Sequence, residues 1–385
     1  MIDLRIFFNH IEAALLAEAE KDIASLYHQI QWYQKDFPNW EKADIALVGL
    51  MEEQGTKQNI GVAGAADAFR KHFYKLKKSR VPYNVVDLGN LRNAPSLQET
   101  YQRIKVVAEI LMRQHIIPVF IGGSQDLMVG QFWAYQGLDQ VISIANIDAI
   151  VDVDESQEEE NKKHLLQILT HQPNYLFNFS QIGHQAYLSS LGFLDIFEKM
   201  YFDVCSVGRI REDILNIEPI IRDADMVAFD MMAIRKADAG ATAYAQPFGL
   251  TSDEAAQLAW YAGISPKSSS IGFYEYNPTL DTQEGHTAQV LSVMVWYFIE
   301  GFYHRRKETN FNSKAFTKYI IPFSEHTTQE MIFYKQVASN QWWVEVPYNQ
   351  IRSNPVIIAC SYQDYLLATE GIIPDRWLNT HAKLP

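Results

Sequence analysis

Short continuous apolar runs of about five residues recur along the middle of the chain, each followed by a stretch with apolar positions at helical spacing. The runs are Ile45-Ala46-Leu47-Val48-Gly49, Asn84-Val85-Val86-Asp87, Ile117-Pro118-Val119-Phe120-Ile121, Val141-Ile142-Ser143-Ile144-Ala145, Tyr201 to Val207, Met226 to Asp230 and Ser270 to Tyr274. Runs that are apolar on both faces and alternate with helices predict strands of a parallel sheet covered on each side. Ser252 to Ala262 and Gly285 to Tyr303 read as two of the covering helices. With about seven or eight such strands and no Pro/Gly/Ser-rich linker between them, the pattern predicts one α/β domain. Its expected form is a three-layer α/β/α arrangement around a doubly wound, mainly parallel sheet.

The two ends of the chain read differently. From Ile11 to Tyr33 the apolar positions Ile11, Leu15, Ala19, Ile23, Leu26 and Ile30 recur at helical spacing, so an N-terminal helical appendage is expected over residues 1–42. The α/β domain is expected over 43–303. Beyond it, 304–385 is an aromatic-rich extension that includes Gln341-Trp342-Trp343-Val344-Glu345-Val346-Pro347 and a dense Asp/Tyr/Pro pattern from Ser361 to Arg376. Aromatic residues in such a segment pack on the main domain by default, with an oligomer contact as the second reading.

Composition narrows the possible partners. A formal charge of -13 argues against nucleic acid, because phosphate binding requires a basic surface and the cluster from Lys75 to Arg80 is short. The most apolar run, Ala288 to Ile299, is shorter than the ~20 residues that span a bilayer and reads as a buried helix. Cys205 and Cys360 form neither a metal-ligand spacing nor a disulfide framework, which fits buried thiols in a reducing cytoplasm. Met1-Ile2-Asp3-Leu4-Arg5 has no secretory pattern. A soluble, cytoplasmic protein is expected.

Ligands of doubly wound sheets bind at the carboxyl ends of the strands, and three such ends carry chemistry. Ile121-Gly122-Gly123-Ser124-Gln125-Asp126 closes one strand with paired glycines, Asp148-Ala149-Ile150-Val151-Asp152 follows another, and Phe229-Asp230 ends a third. If the strands are parallel, Asp148, Asp152 and Asp230 lie along one edge, where clustered carboxylates require a cation, protons or a basic partner. Each aspartate alone could equally be the N-cap of a following helix.

The order of these segments resembles the ureohydrolase family of arginases, agmatinases and formimidoylglutamases, and most closely its formimidoylglutamase branch. That family carries a Gly-Gly-Asp-His turn, an Asp-Ala-His-x-Asp segment, a Ser-Phe-Asp-x-Asp segment and a late Glu-x-Asn-Pro segment. Here the same order is filled by Gly122-Gly123-Ser124-Gln125, Asp148-Ala149-Ile150-Val151-Asp152, Ala228-Phe229-Asp230-Met231-Met232 and Glu275-Tyr276-Asn277-Pro278. Gly61 to Arg70, Val86-Asp87-Leu88-Gly89 and Pro247-Phe248-Gly249-Leu250 match further family turns. The resemblance covers roughly residues 43 to 303 and rests on the ordered set of motifs rather than on any one of them.

It implies hydrolysis of a carbon-nitrogen bond in a formimino or guanidino substrate by two manganese ions held by two histidines and four aspartates. In this chain Gln125 and Ile150 stand where the family has its histidines, and Met232 where it has the second aspartate of the third motif. Asp148, Asp152 and Asp230 remain. The implied cofactor is therefore none, or one weakly bound divalent cation held by oxygen from Gln125, Asp148, Asp152 and Asp230, with Ile150 and Met232 as lost ligand positions. Glu275 matches the glutamate that pairs with the substrate cation, and His184 falls where family members contact substrate or move a proton. Arg235 and Lys236 could stand in for missing metal charge or simply face solvent.

Weak or absent hydrolysis is expected, with a small amidine, guanidino or amino-acid ligand. The competing expectation is a non-catalytic binding or assembly protein on the same fold. Family resemblance also implies a homo-oligomer.

Overall fold

The apolar runs form strands because their alternate side chains enter two different cores. In the first of them Ile45 and Leu47 pack on one face of the sheet while Ala46, Val48 and Leu50 pack on the other. A strand buried on both faces has no polar side to show, which is why it reads as a continuous apolar run. The computed structural model describes residues 3–189, 192–306, 310–322, 330–348 and 355–384.

The strands, in chain order, are β1 (Phe8–Asn9), β2 (Gln31–Trp32), β3 (Ile45–Leu50), β4 (Val85–Leu91), β5 (Ile117–Ile121), β6 (Ile142–Ile147), β7 (Leu176–His184), β8 (Asp203–Ser206), β9 (Met226–Asp230) and β10 (Ser270–Tyr274). They build one sheet in the order β1-β4-β3-β5-β10-β9-β6-β7-β8, with β2 also on β4. Every pairing in it is parallel except β1 against β4. The α-helices among the described residues are α1 (Ala13–Glu20), α2 (Ala65–Phe73), α3 (Leu97–Arg113), α4 (Met128–Gly137), α5 (His164–Leu169), α6 (Gly192–Lys199), α7 (Val207–Glu212), α8 (Glu218–Arg222), α9 (Ser252–Ile264), α10 (His286–Tyr303), α11 (Tyr362–Thr369) and α12 (Asp375–Lys383). Phe69 of α2, Leu258 of α9 and Leu291 of α10 fill one core, and Ile104 of α3 and Phe132 of α4 fill the other. This is the three-layer α/β/α architecture. None of the described helices is long and apolar enough to cross a membrane.

One expectation is corrected and one strand is added. The helix expected over Ile11 to Tyr33 is confined to α1; the chain then makes a 3-10 turn at Leu26–His28 and enters β2. Strands β1 and β2 pair with the C-terminal and N-terminal halves of β4, so this segment closes the sheet edge. An open edge is a template for unwanted pairing, which explains the physical use of such cover. Strand β7 was not predicted at all. Asn178, Ser180 and Gln181 interrupt its apolar pattern, although Ser180 and Gln181 are buried.

After α10 the chain forms a second sheet, an antiparallel meander of β11 (Phe316–Pro322), β12 (Glu330–Gln336), β13 (Trp342–Val346) and β14 (Val356–Cys360). Phe333, Trp342, Val344, Ile358 and Trp377 make its own small core. Arg222, at the end of α8, donates from Nη2 to the carbonyls of Trp342 (2.9 Å) and Cys360 (3.2 Å). Lys383 reaches Asn178 Oδ1 at 2.6 Å.

Candidate active site

The strand order β5-β10-β9-β6 sets four carboxyl ends side by side, and Gln125, Glu275, Asp230 and Asp148 each leave one of them. Gly122 and Gly123 turn the chain out of β5 with φ of +96° and +72°. A Cβ on Gly123 would stand 2.2 Å from Leu127 Cδ1 and 3.0 Å from the Glu52 carbonyl, so the turn requires glycine there. Gly123 O accepts from Glu275 N at 2.9 Å, which locks the end of β5 to the end of β10.

Glu275 itself has φ +64°, a left-handed conformation that costs a non-glycine residue ~1–2 kcal/mol. Its side chain shows why the conformation persists. The carboxylate accepts from Gln125 N (2.8 Å), Asn59 Nδ2 (2.7 Å) and Asn161 Nδ2 (3.0 Å). It is buried, and burial raises its proton affinity against the pull of those donors. Glu275 is thus the hub joining the loops after β3, β5 and β6, and it is absent from the lining of the adjacent cavity.

Asp148 and Asp230 each spend one oxygen on the local turn: Ile150 N donates to Asp148 Oδ1 (3.2 Å) and Met232 N to Asp230 Oδ1 (2.6 Å). Their other oxygens face the Gln125 amide, whose outer end lies 3.3 Å from Asp148 Oδ2 and 3.1 Å from Asp230 Oδ2. The orientation of that amide follows from a relay. Gln181 donates to the Asp148 and Ile150 carbonyls (2.9 and 2.7 Å), so its oxygen must receive Asn146 Nδ2 (2.9 Å). Asn146 then presents Oδ1 to Gln125 Nε2 at 3.0 Å. The Gln125 oxygen is left facing two carboxylate oxygens. Turning the amide over would satisfy the carboxylates but set oxygen against oxygen at Asn146, so the conflict moves without disappearing. A proton or a cation between these three oxygens removes it.

The proton affinities agree. Burial pushes Asp148 up to about 6. Asp152 and Asp230 rise well above the usual range, through burial and then the Asp148 charge. Asp152 and Asp230 line a cavity of about 260 Å³ together with Ile150, Met232, Asn161, Lys162 and Tyr244. At its rim Glu159 accepts from Lys162 Nζ (2.6 Å), Lys57 N (2.7 Å) and Tyr244 OH (3.1 Å). His184 ends β7, buried and edge-on to Phe193 at 5.3 Å; burial lowers its pKa, and it is not among the cavity-lining residues. Arg235 pairs with Asp238 at 2.7 Å, which satisfies its charge away from Asp230.

Asn59, Asn146, Asn161, Lys162, Gln181 and Tyr244 were not singled out from the sequence. None of them carried a signal in the sequence, because the burial of polar residues such as Asn146 and Gln181 inside strands is set by the fold.

Next to Gln125, Asp126 is pushed up to about 7 by burial, against the hydrogen bond from Tyr101 OH (2.6 Å) and with the charge of Glu275 adding to it. An aspartate that ionises near ~4 in the unfolded chain and higher in the folded one contributes stability that is present below ~4 and lost as pH rises through the folded value. The melting temperature is therefore expected to fall from about pH 4 to about pH 7 and to level off above that. Asp126→Asn keeps an acceptor for Tyr101 OH and is expected to flatten that slope; an unchanged slope would assign it to other groups.

A sequence model described as the Arginase family matches residues 43–300. The chain belongs to the arginase family. Formimidoylglutamases from Staphylococcus haemolyticus and Lysinibacillus sphaericus are each 25% identical to it, over 272 and 281 residues. The first match covers 67% of this chain and 86% of the relative, the second 66% and 84%. Trypanosoma cruzi formiminoglutamase, crystallised with Mn2+, superposes with a TM-score of 0.64 at 18% identity, covering 70% of this chain and all of that one. The Bacillus subtilis formimidoylglutamase gives 0.65 at 18% identity, covering 74% of this chain and 94% of the other. At such identity these structures establish the fold. Of the two, the Trypanosoma cruzi neighbour is described with a divalent metal, Mn2+. Among the described residues of this arginase-family chain, no group of three or more His, Cys, Asp or Glu side chains is arranged to hold one.

Proposed function

We propose that this formimidoylglutamase-like protein binds a small amidine, formimino or guanidino cation in the acid-lined cavity and hydrolyses it weakly or not at all. The observation that carries the reading is the pair of carboxylates, Asp152 and Asp230, that line the cavity beside Ile150 and Met232. A planar amidinium bears N–H groups on several sides and a delocalised positive charge. It is suited to the Asp152 and Asp230 carboxylates, and it would displace a proton that they otherwise hold.

The residues present do not fit a pair of manganese ions. Ile150 has no lone pair, Met232 offers only a thioether, and Gln125 supplies at most an oxygen where the family uses imidazole. At most one hard, weakly held cation suits the remaining oxygens. Without metal-activated hydroxide, attack on the amidine carbon lacks its nucleophile. Glu275, filled by three donors, holds the loops of the site in this reading, and the ligand cation pairs with Asp152 and Asp230. A cytoplasmic homo-oligomer is the state this reading expects.

Calorimetric titration of N-formiminoglutamate, agmatine and arginine, with ammonia, formamide and urea release followed in parallel after manganese loading, tests both halves. Saturable binding lost in Asp230→Asn, with turnover far below ~1 s⁻¹, is the expected result. Turnover at ordinary enzyme rates, or no binding of any amidine, would sink it.

A further inference from the structure

Between the arginase-fold domain and the second sheet lies another cavity, of about 650 Å³, within the size range of small-molecule sites. None of its lining residues lines the acid-lined cavity. Arg222 lines it with a side chain only 2% exposed. The guanidinium lies over Trp343 at 4.2 Å, Nε donates to Glu218 at 2.7 Å, and Nη2 serves two carbonyls of the second sheet. Nη1 has no partner among the described residues. A buried charged donor without an acceptor is rare and unfavourable, so it points to something that completes it.

The other walls indicate what that is. Trp260, Trp342 and Tyr362 give the cavity flat apolar sides. Tyr362 and Gln363 are the first two residues of α11, whose N–H groups have no intrahelical acceptor by position and whose helix end favours negative charge. The acids nearby are already engaged. Glu218 holds Arg222 and Gln341 (2.7 Å), and Asp213 caps the turn at Leu215 and Asn216. Glu218 offsets part of the Arg222 charge, while His304 and Arg306 also line the cavity and add to its preference for an anion.

We propose that this seam is a binding site for a small planar organic monocarboxylate, its carboxylate on Arg222 Nη1 and the start of α11, its ring between Trp342, Tyr362 and Trp260. The site exists only where the second sheet meets α8 and α9, and it stands independently of the reading given above for the acid-lined cavity.

Calorimetric titration of the full chain with cinnamate, cinnamamide and phenyl phosphate tests it. Cinnamate is expected to bind saturably, with the neutral amide at least about tenfold weaker. Arg222→Lys removes Nη1 but also touches the seam between the domains. Tyr362→Glu is the cleaner variant, because an acid at the first position of a helix is tolerated or stabilising and its carboxylate would compete for Arg222. Both variants are expected to weaken cinnamate by about tenfold or more, with the melting temperature of Tyr362→Glu unchanged. Equal binding of cinnamamide, tighter binding of phenyl phosphate, undiminished binding to folded Tyr362→Glu, or no binding by any probe would each overturn the proposal; in the last case water fills the Nη1 position.

Discussion

A chain carrying Gln125→His, Ile150→His and Met232→Asp together is expected to retain about two manganese ions through dialysis, where the parent retains at most about one. The three substitutions return imidazole and carboxylate donors to positions whose backbone is already in place. Residue 125 follows the Gly122-Gly123 turn with its N–H held by Glu275, and residue 232 is held by its N–H to Asp230. Ile150 and Met232 already line the cavity, so their replacements act within space those side chains now occupy. Asp148, Asp152 and Asp230 would exchange protons for metal, which also relieves the oxygen conflict at position 125 by removing its amide. Release of ammonia or formamide is expected to rise on the order of 100-fold or more over the parent. Elemental analysis is the primary readout. A folded triple variant without metal would mean that the depletion extends beyond these three positions.

Arg70→Met is expected to lower folding stability by about 3–5 kcal/mol, the usual consequence of removing one partner of a buried ion pair. Arg70 is 1% exposed at the end of α2, and Asp87 in β4 is fully buried. Arg70 donates from Nε and Nη2 to the two Asp87 oxygens at 2.9 and 2.8 Å, and from Nη1 to Asp67 at 3.0 Å. Burial alone would lower the proton affinity of the guanidinium; the charges of Asp87 and Asp67 reverse this and raise it. Methionine fills much of the volume but leaves the Asp87 charge with only Tyr74 OH and Gly89 N. Total stabilities of domains run ~5–15 kcal/mol, so the loss is a large fraction. Adding Asp87→Asn removes the stranded charge while keeping an acceptor, and the double variant is expected to be more stable than Arg70→Met alone. Urea unfolding measures both. A change in Arg70→Met below about 1 kcal/mol would place the pair among those that contribute nothing net.

How much was legible in the sequence followed from which signals are local. Strands β5, β9 and β10 were readable to the residue because each is apolar on both faces and ends at a glycine pair or an acid. Strand β7 was not, because Ser180 and Gln181 are polar and buried, and a residue's burial is set by neighbours far along the chain. In β13 the alternation of buried and half-buried positions from Trp342 to Val346 was present, but the aromatic content masked it. The motif order likewise identified Gln125, Asp148, Asp230 and Glu275 as neighbours without indicating what holds them.

The sequence by itself determined the α/β class, the four strand ends that carry the site, and the replacement of three ligand types by Gln125, Ile150 and Met232. The class and three of the strand ends are properties of residue identity and short-range periodicity; the fourth, at Glu275, and the three replacements follow from the resemblance of the ordered motifs to the family. Only the tertiary structure decided that Glu275 is a hub filled by Gln125, Asn59 and Asn161, that the Gln181-Asn146-Gln125 relay turns an amide oxygen toward two carboxylates, and that a second sheet buries Arg222 with one donor unpaired. Each depends on hydrogen-bond direction and desolvation between segments distant in sequence, and neither quantity exists until the chain has folded.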